Sequence, residues 1–198
     1  MVSREAAKAR GNKCAAPFAP SRLLREIKNG LPRPFGTRND DSVTDDHLYR
    51  RGVGVMLLNR DGQVFVGRRI DNTDEAWQMP QGGIDKGEEP WATALRELEE
   101  ETGIAPHLVE RIAECAERLR YDLPEELRGR LWGGKWIGQL QDWYLCRFTG
   151  DDSDVNIATR HPEFSHWKWI EPAALPDLIV PFKRDLYRRL LADFADYL

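Results

Sequence analysis

Cysteine and histidine are scarce in this 198-residue chain, with three and four copies respectively. Cys14, Cys115 and Cys146 lie far apart and form no CxxC pair, so the sequence predicts neither a disulfide framework nor a thiolate zinc site. This pattern is typical of a reducing, cytosolic compartment. The histidines show no HExxH spacing, and we expect them to be surface or packing residues rather than metal ligands.

Long apolar segments are also missing. The longest run, residues 53–58, has the length of a strand, whereas a membrane-spanning helix needs about 18 to 20 apolar residues. The first residues show no apolar core of a secretory signal. We therefore expect a cytoplasmic protein with no membrane partner. With 41% hydrophobic and 31% charged residues, the chain suits one globular domain and a remaining segment.

The charge of the chain is unevenly distributed. Residues 1–39 carry nine basic residues against two glutamates, a net charge of +7, whereas the whole chain is −4. Four prolines interrupt this segment, in which residues 21–28 could form a short helix. We predict a basic, flexible arm over residues 1–46 and a folded domain over 47–198. The arm could be a solubilising tail, an electrostatic aid to a polyanionic substrate, or an organellar transit peptide.

The pattern of apolar residues and turn signals predicts an α+β domain. A helix is expected over residues 90–102, because Pro90 suits its first position and Gly103 suits the position after its end. A turn is expected at residues 59–62, where the sequence reads Asn-Arg-Asp-Gly. The predicted strands cover 53–58, 63–69, 109–118, 142–148 and 166–170, and a final helix covers 182–197.

Three carboxylates share one face of the predicted helix. Glu97, Glu100 and Glu101 stand at positions i, i+3 and i+4. Clustered carboxylates repel one another, which disfavours ionising all of them unless a cation is bound. Oxygen ligands of this kind suit Mg²⁺, with Mn²⁺ as a substitute. The alternative interpretation is a solvated acidic helix face.

The whole segment that contains these carboxylates is more specific than the carboxylates alone. Residues 82–104 read GGIDKGEEPWATALRELEEETGI. This matches the pattern G-x5-E-x7-R-E-U-x-E-E-x-G-U, in which U is a bulky apolar residue, at every fixed position. The chain is identified by this match as a member of the Nudix hydrolases. The resemblance implies an α/β/α sandwich with a mixed sheet, a loop–helix–loop Nudix box, and metal-dependent hydrolysis of a nucleoside diphosphate linked to another group.

The resemblance also implies roles for particular residues. Glu97, Glu100 and Glu101 would be the catalytic and metal-binding residues, and Gly82 would join them at the metal. A further carboxylate outside the box would complete the metal set, for which Asp154 is the best positional match and Asp152 the competitor. The residues of the box with structural roles would be Gly83, Glu88, Arg96 and Gly103.

The flanks of the box resemble one branch of the family. Residues 77–83 read WQMPQGG, which is similar to the entry of RNA pyrophosphohydrolases and dinucleoside polyphosphate hydrolases. Further matches extend over most of residues 49–194. The resemblance implies that Arg50, Arg69 and Lys183 would contact phosphates. Tyr121, Val180 and Phe182 would line a base pocket, although local packing is the alternative role for each of these six residues.

The implied reaction is hydrolysis of a phosphoanhydride bond. The substrate would be a 5′-triphosphorylated RNA end, which would lose pyrophosphate, or a dinucleoside polyphosphate such as diadenosine tetraphosphate; DNA is not expected. The branch has two lysines where this chain has Leu140 and Asp142, which weakens the expectation of binding to a long RNA backbone. The other candidates are a nucleoside triphosphate or nucleotide-sugar pyrophosphatase and a catalytically idle nucleotide sensor. Base preference, oligomeric state and the number of metals stay open.

Overall fold

The computed structural model describes residues 45–71 and 76–198. The basic arm predicted over residues 1–46 and its short helix at 21–28 lie almost wholly outside this part, so both stay predictions. No helix among the described residues is long and apolar enough to cross a membrane.

Two long strands form the centre of a mixed sheet. Strand β1 (Tyr49–Leu58) and strand β7 (Gly138–Phe148) run parallel, in register from the pair Tyr49 and Gly138 to the pair Leu58 and Arg147. All other pairings are antiparallel, and the main strand order is β3-β2-β1-β7-β5, with β4 on β1, β6 on β7 and β8 on β2. The remaining strands are β2 (Val64–Arg69), β3 (Trp77–Gln78), β4 (Gln81–Gly83), β5 (Val109–Glu114), β6 (Leu119–Asp122) and β8 (Phe164–Ile170).

Helices cover both faces of this sheet. They are α1 (Pro90–Thr102), α2 (Leu175–Leu178) and α3 (Arg184–Asp193). Alternate residues of a strand point to opposite faces, so Val55 of β1 packs in one apolar cluster with Leu98 of α1. Met56 packs in the other cluster with Tyr187 of α3. The predicted α/β/α sandwich with a mixed sheet is therefore confirmed.

Helix α1 begins and ends where the sequence predicts. Pro90 occupies its first position, and Gly103 follows its last residue with a left-handed φ of 71°. The Gly103 amide donates to the carbonyl oxygen of Glu99 at 2.8 Å. A Cβ at Gly103 would also lie only 2.7 Å from the carbonyl oxygen of Asn156, so both the turn and the packing require glycine.

Several predicted elements have different bounds in the structure. Strands β1 and β7 begin at Tyr49 and Gly138, each earlier than predicted. The strand expected over 109–118 ends at Glu114, and pairing with β7 resumes only at Leu119, as β6. The four residues between Glu114 and Leu119 stand opposite only two residues of β7, which interrupts the ladder. The helix expected over 182–197 is α-helical only from Arg184 to Asp193 and is flanked by single 3₁₀ turns. The Gly- and Pro-rich connection after β2 also contains two short strands, β3 and β4, which the sequence pattern did not indicate.

Candidate active site

Glu101 is the most deeply buried carboxylate of the described residues, with 2% of its surface exposed. One carboxylate oxygen, Oε2, accepts a hydrogen bond from the backbone amide of Gln81 at 3.1 Å. The other oxygen, Oε1, is buried and has no hydrogen-bond partner among residues 45–71 and 76–198. A buried polar atom without a partner is costly, which marks this oxygen as a position where a ligand belongs.

The charged groups around Glu101 also indicate that a ligand binds at this position. Burial raises the pKa of Glu101 well above its usual range, and the carboxylates of Glu163 and Glu97 raise it further. Burial also raises the pKa of Glu97, against the opposing charge of Arg96. Glu97, Glu101 and Glu163 therefore form an electronegative pocket, and a bound cation would offset the repulsion between their charges.

Arg96 connects the carboxylates of the box. Its guanidinium donates two hydrogen bonds of 2.9 Å to the carboxylate of Glu88, and this contact lowers the pKa of Glu88 to about 2. One nitrogen, Nη1, also lies 3.0 Å from Oε1 of Glu97 and 3.0 Å from Oε2 of Glu100. These contacts agree with the structural role that the resemblance implies for Arg96. Glu100 is nevertheless 59% exposed and stands at the rim of the pocket.

The two glycines of β4 leave room for charged side chains on opposite faces of the sheet. A Cβ at Gly82 would overlap the carboxylate of Glu97, and a Cβ at Gly83 would overlap the guanidinium of Arg50. Both positions therefore require glycine for space rather than for backbone conformation. The short strand β4 thus lies between the carboxylates of α1 and the predicted phosphate-binding side.

Glu163, which the sequence reasoning did not assign to the site, is the carboxylate from outside the box that lies beside Glu101. It raises the pKa of both Glu101 and Glu97, and its Oε2 lies 2.7 Å from Nη1 of Arg69. Glu163 lies within residues 49–194, over most of which the chain resembles the branch, and a carboxylate in this stretch was the signal that could have identified it.

The structure places the two predicted candidates for the extra carboxylate, Asp154 and Asp152, in other contacts. Asp154 accepts a hydrogen bond from the Asp151 amide at 2.9 Å and closes a capping box on a single 3₁₀ turn. Asp152 accepts a hydrogen bond from the indole of Trp169 at 2.8 Å. Among the described residues no hydrogen bond or ion pair links either side chain to the box glutamates. Both carboxylates instead stabilise the connection between β7 and β8.

An aromatic and cationic group adjoins the acidic pocket. The Tyr121 hydroxyl donates to Oε1 of Gln139 at 2.8 Å, and the ring centroid of Phe182 lies 5.7 Å from that of Tyr121. Nζ of Lys183 lies 4.8 Å from the Tyr121 ring centroid. Burial, followed by the nearby charge of Arg69, lowers the pKa of Lys183 to about 7. Val180 is partly buried and packs against the same apolar cluster as Phe182.

The two predicted phosphate-binding arginines have different surroundings. Arg69 is held by Asp71 through two contacts of 2.7 Å and by Glu163 through a third of 2.7 Å. Arg50 forms no ion pair with a carboxylate within residues 45–71 and 76–198. Its guanidinium carbon instead lies 5.5 Å from the ring centroid of Trp132. Arg50 therefore keeps its charge available to an anion, whereas Arg69 is largely neutralised.

The positions where the branch has lysines are filled differently here. Leu140 is buried. Oδ2 of Asp142 lies 2.6 Å from Nη2 of Arg51. Neither position offers a cation to a nucleic acid backbone.

The donor set of the acidic pocket fits a divalent cation. Carboxylate oxygens are the ligands that hard divalent cations prefer, and Oε1 of Glu101 lacks any other partner in the described part of the chain. Within that part, no three His, Cys, Asp or Glu side chains already surround one metal position. Arg96 is paired with Glu97 and Glu100. Glu97, Glu101 and Glu163 are the side chains whose charges a cation would balance.

A comparison of the chain with models of protein families identifies its family. The model of the NUDIX domain matches residues 48–190. The chain belongs to the Nudix family. Nudix hydrolases generally need divalent metal cations, in agreement with the donor set of the acidic pocket.

Curated Nudix relatives resemble most of the chain. One from Novosphingobium aromaticivorans, named RNA pyrophosphohydrolase, is 60% identical over 150 residues, which are 75% of this chain and 93% of the relative. A second of that name, from Rhodospirillum rubrum, is 57% identical and covers 75% of this chain and 88% of the relative.

Solved Nudix structures share the fold at low sequence identity. The C. elegans Ap4A hydrolase binary complex has a TM-score of 0.56 and 22% identity, over 75% of this chain and 99% of that chain. The E. coli dihydroneopterin triphosphate pyrophosphohydrolase has a TM-score of 0.58 and 20% identity, over 73% of this chain and 98% of that chain. At these identities the likeness concerns the fold alone.

Proposed function

We propose that this Nudix protein is an RNA pyrophosphohydrolase that removes pyrophosphate from 5′-triphosphorylated RNA ends with Mg²⁺, for which Mn²⁺ can substitute. The observation that carries the proposal is the buried oxygen Oε1 of Glu101, which has no hydrogen-bond partner in the described part of the chain and lies beside Glu97 and Glu163. Lys183 lies close enough to this acidic pocket for the charge of Glu101 to oppose the lowering of its pKa by burial, and Arg50 lies against Gly83 of the short strand β4. The names of the curated relatives support the choice of substrate.

The acidic side of the site would hold the metal. Glu97, Glu101 and Glu163 would provide carboxylate oxygens, and Gly82 lies against the carboxylate of Glu97. When bound, a divalent cation neutralises phosphate oxygens and lowers the pKa of water. Glu101, whose pKa is raised by burial, would accept a proton from the attacking water. Arg96 would keep Glu97 and Glu100 oriented.

The cationic side would bind the polyphosphate chain. Arg50 has no carboxylate partner among the described residues, and Lys183 is buried next to Tyr121, so both offer donors to anionic oxygens. Tyr121 and Phe182 would form the apolar wall against which the first base stacks. Because phosphates bind between cations on one side and the metal-binding carboxylates on the other, the scissile anhydride would lie next to Glu101.

Dinucleoside polyphosphates are the second candidate substrate. The observation that favours them is the absence of cationic side chains at Leu140, which is buried, and Asp142, which is paired with Arg51. A short substrate depends less on backbone phosphates than a long RNA does. Diadenosine tetraphosphate would be cleaved to ATP and AMP by the same residues.

A kinetic comparison tests the proposal. We would measure kcat/KM with Mg²⁺ for a short 5′-triphosphate RNA and for diadenosine tetraphosphate, with Glu101→Gln as the inactive variant. Glu99→Gln is the matched control, because Glu99 is exposed on the same helix. A preference for RNA supports the first candidate, and a preference for the dinucleotide supports the second. Turnover of a nucleoside triphosphate or a nucleotide sugar alone, or tight nucleotide binding without turnover, would refute both.

A cytoplasmic location is also proposed. Cys115 and Cys146 are free in the structure, as expected in a reducing compartment. An organellar location would follow if the basic segment before residue 47 directs import, which fractionation of a tagged full-length chain would reveal.

A further inference from the structure

Trp132 has an unusual backbone conformation. Its φ of 51° and ψ of 32° lie in the left-handed region, and no other non-glycine residue of the described part has a positive φ. The neighbouring Gly129, Gly133 and Gly134 adopt positive φ as well, but glycine does so without steric penalty. A bulky residue in this conformation is disfavoured, and such strain is concentrated at functional sites.

The strained conformation brings the Trp132 ring to Arg50. The guanidinium carbon of Arg50 lies 5.5 Å from the ring centroid, which is within the range of a cation–π interaction. The ring is partly buried against the apolar cluster beneath α3, so its own position is restricted. The Arg50 guanidinium also lies so close to Gly83 that a Cβ there would overlap it. Arg50 is therefore restrained by an aromatic ring and a backbone surface.

Arg50 and Arg69 are restrained by different kinds of chemical group. Asp71 and Glu163 restrain Arg69 through carboxylates at 2.7 Å, which also compete with an incoming phosphate. An aromatic ring attracts the guanidinium without cancelling its charge. The ring can thus orient an arginine and leave its hydrogen-bond donors free for an anion.

We propose that Trp132 is a positioning residue, whose ring holds the Arg50 guanidinium in the orientation that binds a substrate phosphate. The inference rests on the proposed function, because it assigns Arg50 to the polyphosphate chain. Trp132 acts through Arg50 and not by contact with the base. Loss of the ring should therefore weaken phosphate binding in the ground state and the transition state alike, which raises KM and leaves kcat nearly unchanged.

A double-mutant cycle tests the inference. Trp132→Leu keeps an apolar side chain but removes the ring, and we expect kcat/KM to fall about 3- to 30-fold, the range of a cation–π interaction. Trp132→Phe should retain part of the activity. In the Arg50→Ala background, Trp132→Leu should cause no further loss, because the group that the ring orients is gone. Trp136→Leu is the matched control, since Trp136 stacks with Lys135 and is expected to behave like wild type.

Three results would overturn the inference. Unchanged kcat/KM in Trp132→Leu would show that the ring has no role. Losses that multiply in the double variant would show that Trp132 acts independently of Arg50, as a base platform would. A fall in kcat at constant KM, together with a lower melting temperature, would indicate a purely structural role.

Failure of the proposed function can be distinguished from failure of the inference. If wild type hydrolyses neither RNA nor dinucleotide, the proposed function is wrong. Calorimetric binding of inorganic tripolyphosphate then tests the inference by itself. Weaker binding in Trp132→Leu, with no further weakening in the double variant, would support it, and equal binding by wild type and Trp132→Leu would refute it.

Discussion

Replacing Glu101 by glutamine should abolish turnover and yet stabilise the metal-free protein. The side chain is 2% exposed, and Oε1 has no partner among the described residues. Leaving a buried polar group without a partner costs roughly 1–3 kcal/mol, and more for a charged group. Glutamine removes the charge, and its amide can donate to the neighbouring carboxylate of Glu163. We expect a gain of about 1–3 kcal/mol in the free energy of unfolding, or roughly 2–10 °C in Tm.

The pH dependence of this gain follows from the pKa of Glu101. Its folded pKa is raised above the usual value of 4.5, so the folded state holds this proton more tightly than the unfolded state does. The resulting stability is fully present below about pH 4.5 and is lost as the pH rises through the raised pKa. The advantage of Glu101→Gln over wild type should therefore be small near pH 4.5 and should grow towards neutral pH.

Thermal unfolding in a chelating buffer at several pH values measures the effect, with Glu99→Gln as the exposed control on the same helix. Added Mg²⁺ should raise the Tm of wild type more than that of Glu101→Gln, because binding to the folded state stabilises it. The kcat of the variant should fall at least about 100-fold. Near-normal turnover, or equal stability of variant and wild type across the whole pH range, would refute the reasoning.

Three further changes test the other parts of the site. Gly82→Ala should reduce turnover strongly, because the added methyl group would overlap the Glu97 carboxylate; normal kinetics would show that Glu97 can move without consequence. Glu163→Gln should lower kcat/KM with Mg²⁺ by about 10-fold or more, whereas Asp154→Asn should retain nearly normal kinetics. A larger loss of kcat/KM in Asp154→Asn than in Glu163→Gln would instead support Asp154 as the extra carboxylate. The KM of wild type should rise as the pH increases through about 7, because Lys183, whose pKa is lowered to about 7 by burial, loses the charge that binds phosphate. Lys183→Met should have a higher KM that lacks this dependence, and an unchanged pH profile in the variant would exclude Lys183 as its cause.

Helix α1 was predictable because its signals are local. Pro90 and Gly103 define its ends, and the spacing of Glu97, Glu100 and Glu101 places them on one face whatever the rest of the chain does. The nine constrained positions of the box lie within 23 consecutive residues, 82–104, so they could be recognised without any tertiary structure.

Properties that depend on the register between distant strands could not be predicted from local sequence signals. The end of β5 at Glu114 and the start of β6 at Leu119 depend on how both strands pair with β7. The hydrophobic pattern of residues 109–118 carries no information about a partner strand that begins at Gly138. The sequence shows that Leu140 and Asp142 replace two lysines of the branch. Only the structure shows that Leu140 is buried and that Asp142 forms an ion pair with Arg51.

The box helix and the three carboxylates that it presents could be predicted from the sequence, because they depend on spacing within a few turns of chain. The α/β/α fold was expected from the resemblance of the box to the Nudix family. The distant groups that surround these carboxylates could not be predicted, because strand pairing and packing bring them together. Glu163 reaches Glu101 through the pairing of β8 with β2, and the turn at Trp132 brings its ring to Arg50. Long-range contacts are made by register and packing, so residues far apart in sequence become one site only when the sheet is assembled.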